Sequence, residues 1–209
     1  MTDEVMFSER VQTVEQLREI IGNPTRDVIE KVIHELDEHS QAFIAKSTFV
    51  LIGSSDAQGN ADVSPKGDPA GFVHMLDATT LLIPDRPGNQ RADTLINILE
   101  NPQVGLLFLV PGKRETLRIN GKAQLIRDAN LREQFAIKGK IPALLIAVTV
   151  EDVFFHCAKC IIRSHLWDDM PDQSDLASLA EIMVKHGKLS ETVEEMQQGI
   201  DEDYTTRLY

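Results

Sequence analysis

A mainly β fold with flanking helices, its strands joined antiparallel into a barrel or sandwich, is what this 209-residue sequence predicts. Three observations carry that reading. Short apolar runs bounded by turn signals recur from Ser47 to Ala158. Only two helical segments interrupt them, too few for the alternating βαβ units of a parallel sheet. Elsewhere helical periodicity is confined to the two ends of the chain.

Taken in order, residues 13–46 read as two amphipathic helices. "TVEQLREIIG" closes on Gly22, and after Pro24 the residues Val28, Val32, Ile33 and Leu36 recur at steps suited to one helical face. From Ser47 the period changes. "STFVLIGS", the turn "SDAQGN" and "ADVSPKG" read as strand, reversal, strand, with Gly59-Asn60 supplying a backbone that tolerates positive φ. Four further strands are expected at "TTLLIPD", "QVGLLFLV", "ETLRINGKAQLIR" and "ALLIAVTVEDVFFHCA". The internal helices are "NQRADTLINILEN", with Ala92, Leu95, Ile98 and Leu99 on one side, and "ANLREQFAIKG", with Asp128 as N-cap. A last helix is expected over 174–199, followed by a loose ending, "GIDEDYTTRLY". The expected organisation is one structural domain: helices packed on a barrel over 1–46, the barrel over 47–168, and a helix and tail over 169–209.

Composition bounds the function. Hydrophobic residues make up 42% and charged residues 26%, near globular averages. A formal charge of -12 argues against a protein that coats nucleic acid, which requires a basic face. The basic residues Lys66, Arg86, Arg91, Lys113 and Arg118 nevertheless lie in the central part of the chain, so an anionic small molecule could find a local basic pocket. The opening "MTDEVMFSER" is acidic and lacks the apolar run of a secretory signal. The longest apolar run, "ALLIAV", is too short to span a bilayer. A cytoplasmic protein is expected, and its two cysteines, Cys157 and Cys160, stand too close together to staple a fold.

Chemistry is concentrated in "VSPKGDPAGF", residues 63–72. Side chains alternate along a strand, so Asp62, Ser64 and Lys66 share one face while Ala61, Val63 and Pro65 share the other. Pro65 offers no ladder donor and places the segment at an edge or bulge. A ligand groove and a solvated strand face both fit these ten residues. "LLIPDRPGNQRADTLINILEN" then ends a strand at Ile83, sets Arg86 in a loop, and begins a helix near Asn89 with Arg91 in its first turn. Helix N-termini attract phosphate, and guanidinium groups clamp it. Pairing of Arg86 or Arg91 with Asp85 or Asp93 is the alternative. No G-x-G-x-x-G occurs and "PGKRET" lacks P-loop spacing, so neither a dinucleotide fold nor a nucleoside triphosphatase is indicated.

The order "DVSPKGD…GFV…LLIPDRPGNQRADTLINILENPQVGLLFLVPG…ETLRINGKA" resembles the FMN-binding split barrel of the pyridoxamine 5'-phosphate oxidase-related proteins. The resemblance covers residues 28–167 and is strongest over 62–123. It implies a six-stranded antiparallel split barrel and a homodimer with FMN in a groove at the subunit interface. By the same resemblance, Val63, Ser64, Pro65 and Lys66 lie on the strand that meets the ribityl chain and flavin ring. Pro84, Asp85 and Arg86 follow the next strand, and Asn89, Gln90 and Arg91 hold the phosphate. "ETLRING" adds Thr116 and Arg118 as further ligand candidates, with a solvated or subunit-bridging face as the other reading.

"FFHCAKCIIRSHLW" offers Lys159, Arg163, Ser164 and His165 as substrate contacts, since Arg163-Ser164-His165 resembles the Arg-x-His of the family's oxidases. The rest of that substrate set is not matched, and the small-molecule substrate stays unidentified. A single C-x-x-C without a second pair does not make a zinc site, so no metal is expected. Two functions follow: an FMN-dependent oxidoreductase, or a non-catalytic module that binds or stores flavin. A haem or deazaflavin binder on the same barrel is the third reading. No paired carboxylates, triad or HExxH motif competes with them.

Overall fold

The computed structural model describes residues 7–209; the first six residues of the acidic opening lie outside the described part. The chain divides into two compact units, the first ending at Val32 and the second running Ile33–Tyr209. In the first, α1 (Val14–Ile21) is capped by Thr13, whose hydroxyl accepts from the Gln16 amide at 3.3 Å. It stops at Gly22, which takes φ 74. A one-turn helix, α2 (Arg26–Glu30), follows.

The second helix expected through Leu36 is cut short. β-branched Val32 and Ile33 favour extended backbone, and Ile33 bridges Val153 with paired main-chain hydrogen bonds of 3.0 and 2.8 Å. Helix α3 (Glu38–Lys46) starts afresh at Asp37, whose carboxylate accepts from the Ser40 amide at 2.8 Å. It buries Phe43 and Ile44 in the core.

The second unit is built on one antiparallel sheet of order β2-β1-β5-β6-β7-β4-β3. Its strands are β1 (Phe49–Ser55), β2 (Ala61–Gly67), β3 (His74–Asp77), β4 (Thr80–Asp85), β5 (Gln103–Leu109), β6 (Thr116–Ile126) and β7 (Leu144–His156). All six expected strands form. The sheet has seven, however, and is unclosed, which corrects the six-stranded barrel. The extra strand, β3, has four residues and a register shift between Met75 and Asp77. Its turn into β4 is set by Asp77, which accepts from the Thr79 amide at 2.7 Å.

One face of the sheet carries Val50, Ile52, Leu106, Phe108, Leu117 and Ile119, none more than 1% exposed. The long pair β6–β7 shifts register between Asn120 and Gly121. A Cβ at Gly121 would collide with the Thr149 carbonyl, so this close approach requires glycine. Bulges of this kind bend and twist a strand pair. The curl is large: β2, at one edge, reaches β4 although four strands separate them in the sheet, and Lys66 of β2 donates to Asp85 of β4 at 2.9 Å.

Helix α4 (Asp93–Glu100) crosses β1 and β2. Its inward residues are Thr94, Asn97 and Ile98, whereas Leu99 is 75% exposed and does not belong to the apolar face expected of it. Asp128 caps α5 (Ala129–Glu133) as expected, accepting from the Leu131 amide at 3.0 Å. After α6 (Lys159–Ser164), the expected helix over 174–199 is two helices, α7 (Leu179–Gly187) and α8 (Val193–Thr206). Lys188 breaks the run at φ 50, and capping boxes at Ser178/Glu181 and Thr192/Glu195 start each helix. The ending expected to be loose is thus helical through Thr206.

Candidate functional site

Where β2 meets β4 the curl leaves a cleft of about 570 Å³, bounded by the ends of both strands, the 86–92 loop, the start of α4 and residues 140–143. Strand β2 is the sheet edge, as Pro65 requires. Its burial is the reverse of a core strand: Asp62, Ser64 and Lys66 are half-buried, while Val63 on the other face is 63% exposed. A polar face turned inward needs partners for its donors and acceptors. Asp62 finds one in the Thr94 hydroxyl, which donates at 2.6 Å and ties the first turn of α4 to β2. Behind it, the Asn97 amide donates to Ser54 at 3.0 Å.

Two ion pairs close the β2–β4 end. Lys66–Asp85 is about one-fifth exposed on both sides. Deeper, Arg86 donates from Nε to Asp68 at 2.6 Å and from Nη1 to the Phe135 carbonyl at 2.9 Å, and the Asp68 side chain is only 2% exposed. The Arg86 half of the alternative pairing is therefore met by Asp68, a residue one step past the strand.

At the opposite rim the loop takes left-handed backbone at Gln90 (φ 62) and Ala92 (φ 59), flanking Arg91. Non-glycine residues enter that region at a cost of roughly 1–3 kcal/mol, and such strain gathers at ligand sites. Helix α4 begins at Asp93 rather than near Asn89, because Ala92 holds the left-handed N-cap; Arg91 therefore precedes the helix instead of standing in its first turn. Its guanidinium donates to Asp93 at 2.8 Å on the open surface, and its amide donates to the Asn89 side chain at 3.1 Å. Four cations line the cleft (Lys66, Arg86, Arg91, Lys140) against three carboxylates (Asp62, Asp85, Asp93), in a chain of formal charge -12.

The cleft gathers Val63, Ser64, Pro65, Lys66, Asp85, Arg86, Asn89, Gln90 and Arg91 from the expected site. Pro84 is next to it but buried in β4, opposite Leu145. Thr116 and Arg118 do not line it. Thr116 is buried opposite His156, and the Arg118 guanidinium lies 4.0 Å from the centre of the Phe154 ring. The α6 set is also elsewhere. Lys159 and Arg163 are exposed, Ser164 donates to the Ile161 carbonyl at 3.2 Å, and His165 Nδ1 is 2.7 Å from Asp168. Cys157 and Cys160 are free and exposed.

Sequence reasoning missed Asp68, Lys140 and Tyr209. Asp68 could have been found as the acid two positions after Lys66. Lys140 and Tyr209 reach the cleft from distant segments, and no local signal marks them.

An edge strand with its polar face turned into a cationic cleft, beside a strained loop and a helix start, defines a curled antiparallel sheet protein with a candidate anion site. The family model described as pyridoxamine 5'-phosphate oxidase matches residues 36–157, more than half of the chain, and the chain belongs to that FMN-binding split-barrel family. No curated protein matches. Among solved structures, HupZ of Group A Streptococcus is 18% identical, with a TM-score of 0.47 over 58% of this chain and 99% of its own. A putative pyridoxamine 5'-phosphate oxidase from Lactobacillus delbrueckii is 22% identical, with a TM-score of 0.46 over 58% of this chain and 95% of its own. An FMN-binding protein from Syntrophomonas wolfei is 10% identical, with a TM-score of 0.44 over 68% of this chain and 93% of its own. Among the described residues no helix is long and apolar enough to cross a membrane.

Proposed function

We propose that the β2–β4 cleft binds FMN and that the chain is a flavin-dependent oxidoreductase acting on a small molecule. The observation that carries the reading is the inward polar face of β2, which presents Ser64 and Lys66 to a cleft ending at the 89–93 corner. Membership of a flavin-binding family supports it. The residues fit the group. About 570 Å³ lies within the roughly 300–1,000 Å³ usual for ligand and cofactor sites. The free amides at the start of α4 and the Arg91 guanidinium suit a phosphate, while Ser64 and Lys66 supply a hydroxyl and a cation for a ring system.

When bound, the flavin supplies the two-electron chemistry. This chain's residues orient and polarise. Lys66, partly withdrawn from water and steadied by Asp85, offers positive charge where a reduced ring would carry negative charge. Arg86 fixes the floor through Asp68 and Phe135. Thr116, Arg118, Lys159, Arg163, Ser164 and His165 lie outside the cleft of their own chain, so on this reading any part they play is at the cleft of a second copy in a homodimer.

The test is the visible absorption spectrum of the purified protein, with identification of the pigment released on denaturation. Flavin bands with FMN released are the expected result; a colourless protein that takes up no added FMN would reject the cofactor. Loss of the bands on adding a reduced nicotinamide would favour the enzyme over the inert flavin carrier. Arg91→Ala is expected to weaken FMN binding about ten-fold, and Lys66→Ala somewhat less, as charge-assisted contacts are lost. Unchanged affinity in both would remove the cofactor from this cleft.

A further inference from the structure

Tyr209, three residues beyond the end of α8, lies in the cleft. Its seat is built from groups that a ligand would use. The ring centre is 5.6 Å from the Arg86 guanidinium carbon and 5.7 Å from Lys138 Nζ. Its main-chain oxygen accepts from Lys140 Nζ at 2.7 Å. Tyr209 is only partly exposed although the residues before it, 201–208, are exposed. Burial and the neighbouring Asp68 carboxylate both push its phenol pKa up.

Three cations thus meet one aromatic ring and one acceptor oxygen. The ring's electron-rich face attracts cations, and the oxygen takes a charge-assisted hydrogen bond. An aromatic molecule bearing an anionic group offers the same two features to the same corner. We propose that the Arg207–Tyr209 strap is a built-in competitor for the cleft, seated when the cleft is free of ligand and displaced when an aromatic anion enters. The inference rests on the FMN reading of the cleft.

The strap is held by side chains of the cleft and its surroundings, Arg86 at the floor and Lys138 and Lys140 beside it. In the described residues the main element packing of α8 is against α7, so the segment after it can leave without disturbing the sheet. A seated strap reduces the fraction of protein competent to bind, and apparent affinity falls by that fraction. Its removal accordingly strengthens binding, the reverse of what loss of a ligand contact does.

The experiment compares the full-length wild type, Tyr209→Ala and Tyr209→Phe by fluorescence titration and stopped-flow mixing with FMN. Tyr209→Ala is expected to bind about ten-fold tighter, with faster association, and Tyr209→Phe to stay within about two-fold of wild type because the ring is retained. FMN should also speed tryptic cleavage after Arg207 in the wild type, since displacement frees that segment. FMN binding that is equal or weaker in Tyr209→Ala, or a Tyr209→Phe value equal to that of Tyr209→Ala, would overturn the strap while leaving the cofactor in place. Cleavage after Arg207 that FMN slows would overturn it too. No FMN binding by any of the three proteins would reject the cofactor itself, and the competition with it.

Discussion

The floor and the rim of the cleft use the same pair of residue types to opposite ends. At the floor, Arg86 meets Asp68 with side chains 15% and 2% exposed; at the rim, Arg91 meets Asp93 with side chains 72% and 45% exposed. The buried pair has no water to fall back on and joins segments that the sheet order keeps apart. The exposed pair joins the end of the loop to the first residue of α4 and is screened by solvent, so a phosphate could take Arg91 from Asp93 at little cost. The floor arginine is therefore structural, and on the proposed reading the rim arginine is the one that meets a ligand, although "DRPGNQRAD" sets them five residues apart.

Breaking the floor tests the first half of that contrast with the largest effect. Arg86→Ala leaves the Asp68 carboxylate buried and the Phe135 carbonyl without this donor. Losing one partner of a buried pair costs about 3–5 kcal/mol, so urea unfolding should show a clearly lower midpoint. Asp68→Leu combined with Arg86→Met should recover most of that loss, since replacing a buried pair with apolar groups is often neutral. If the single variant unfolds like wild type, the floor is not a structural bridge.

Lys66–Asp85 lies between the two extremes, each side chain about one-fifth exposed. Lys66→Met should lower stability by about 1–2 kcal/mol, less than the floor pair, because water reaches both charges. The same variant should also weaken FMN binding. A stability loss as large as that of Arg86→Ala would move Lys66 from the ligand-facing class to the structural one. At the rim, Arg91→Ala should leave the urea midpoint unchanged while FMN affinity falls, and raising salt should erode wild-type affinity toward that of the variant. A shifted midpoint would mean the rim is structural after all.

The same contrast explains what the sequence made legible. Six strands, the edge position of β2 and the Asp128 cap follow from residues within a few positions of one another, where alternation, proline and capping chemistry act. The meeting of Ser64 and Lys66 with Asp85 and Arg91 was legible only through the family resemblance, since β2 and β4 come together by the curl of the sheet. What was not legible depends on distant partners. Ile33 kept a helical spacing but pairs with Val153 instead. Leu99 fits the apolar period of α4 yet stands exposed, uncovered by any element among the described residues. β3 is four residues long, the bare minimum over which alternation can be read, and "HMLD" does not alternate. Asp68 reaches Arg86, and Tyr209 enters the cleft, only because the sheet curls and the chain returns.

The smallest effect comes from the layer beneath the floor. His74 of β3 stacks on Phe135 with ring centres 3.9 Å apart, and Phe135 packs with Leu82 and Leu145 while its carbonyl holds Arg86. Burial lowers the imidazole pKa below its ordinary 6.5, so the folded chain binds this proton less readily than the unfolded chain. The stability His74 contributes is then full above pH 6.5 and is lost as pH falls through the depressed folded value. His74→Leu should remove that part of the pH dependence. The urea midpoints of wild type and variant should run parallel above neutrality and draw apart below pH 6.5, with wild type losing more. Midpoints that stay parallel down to pH 5 would show that His74 titrates in the folded chain as it does in the unfolded one, and that the stack on Phe135 does not shield it.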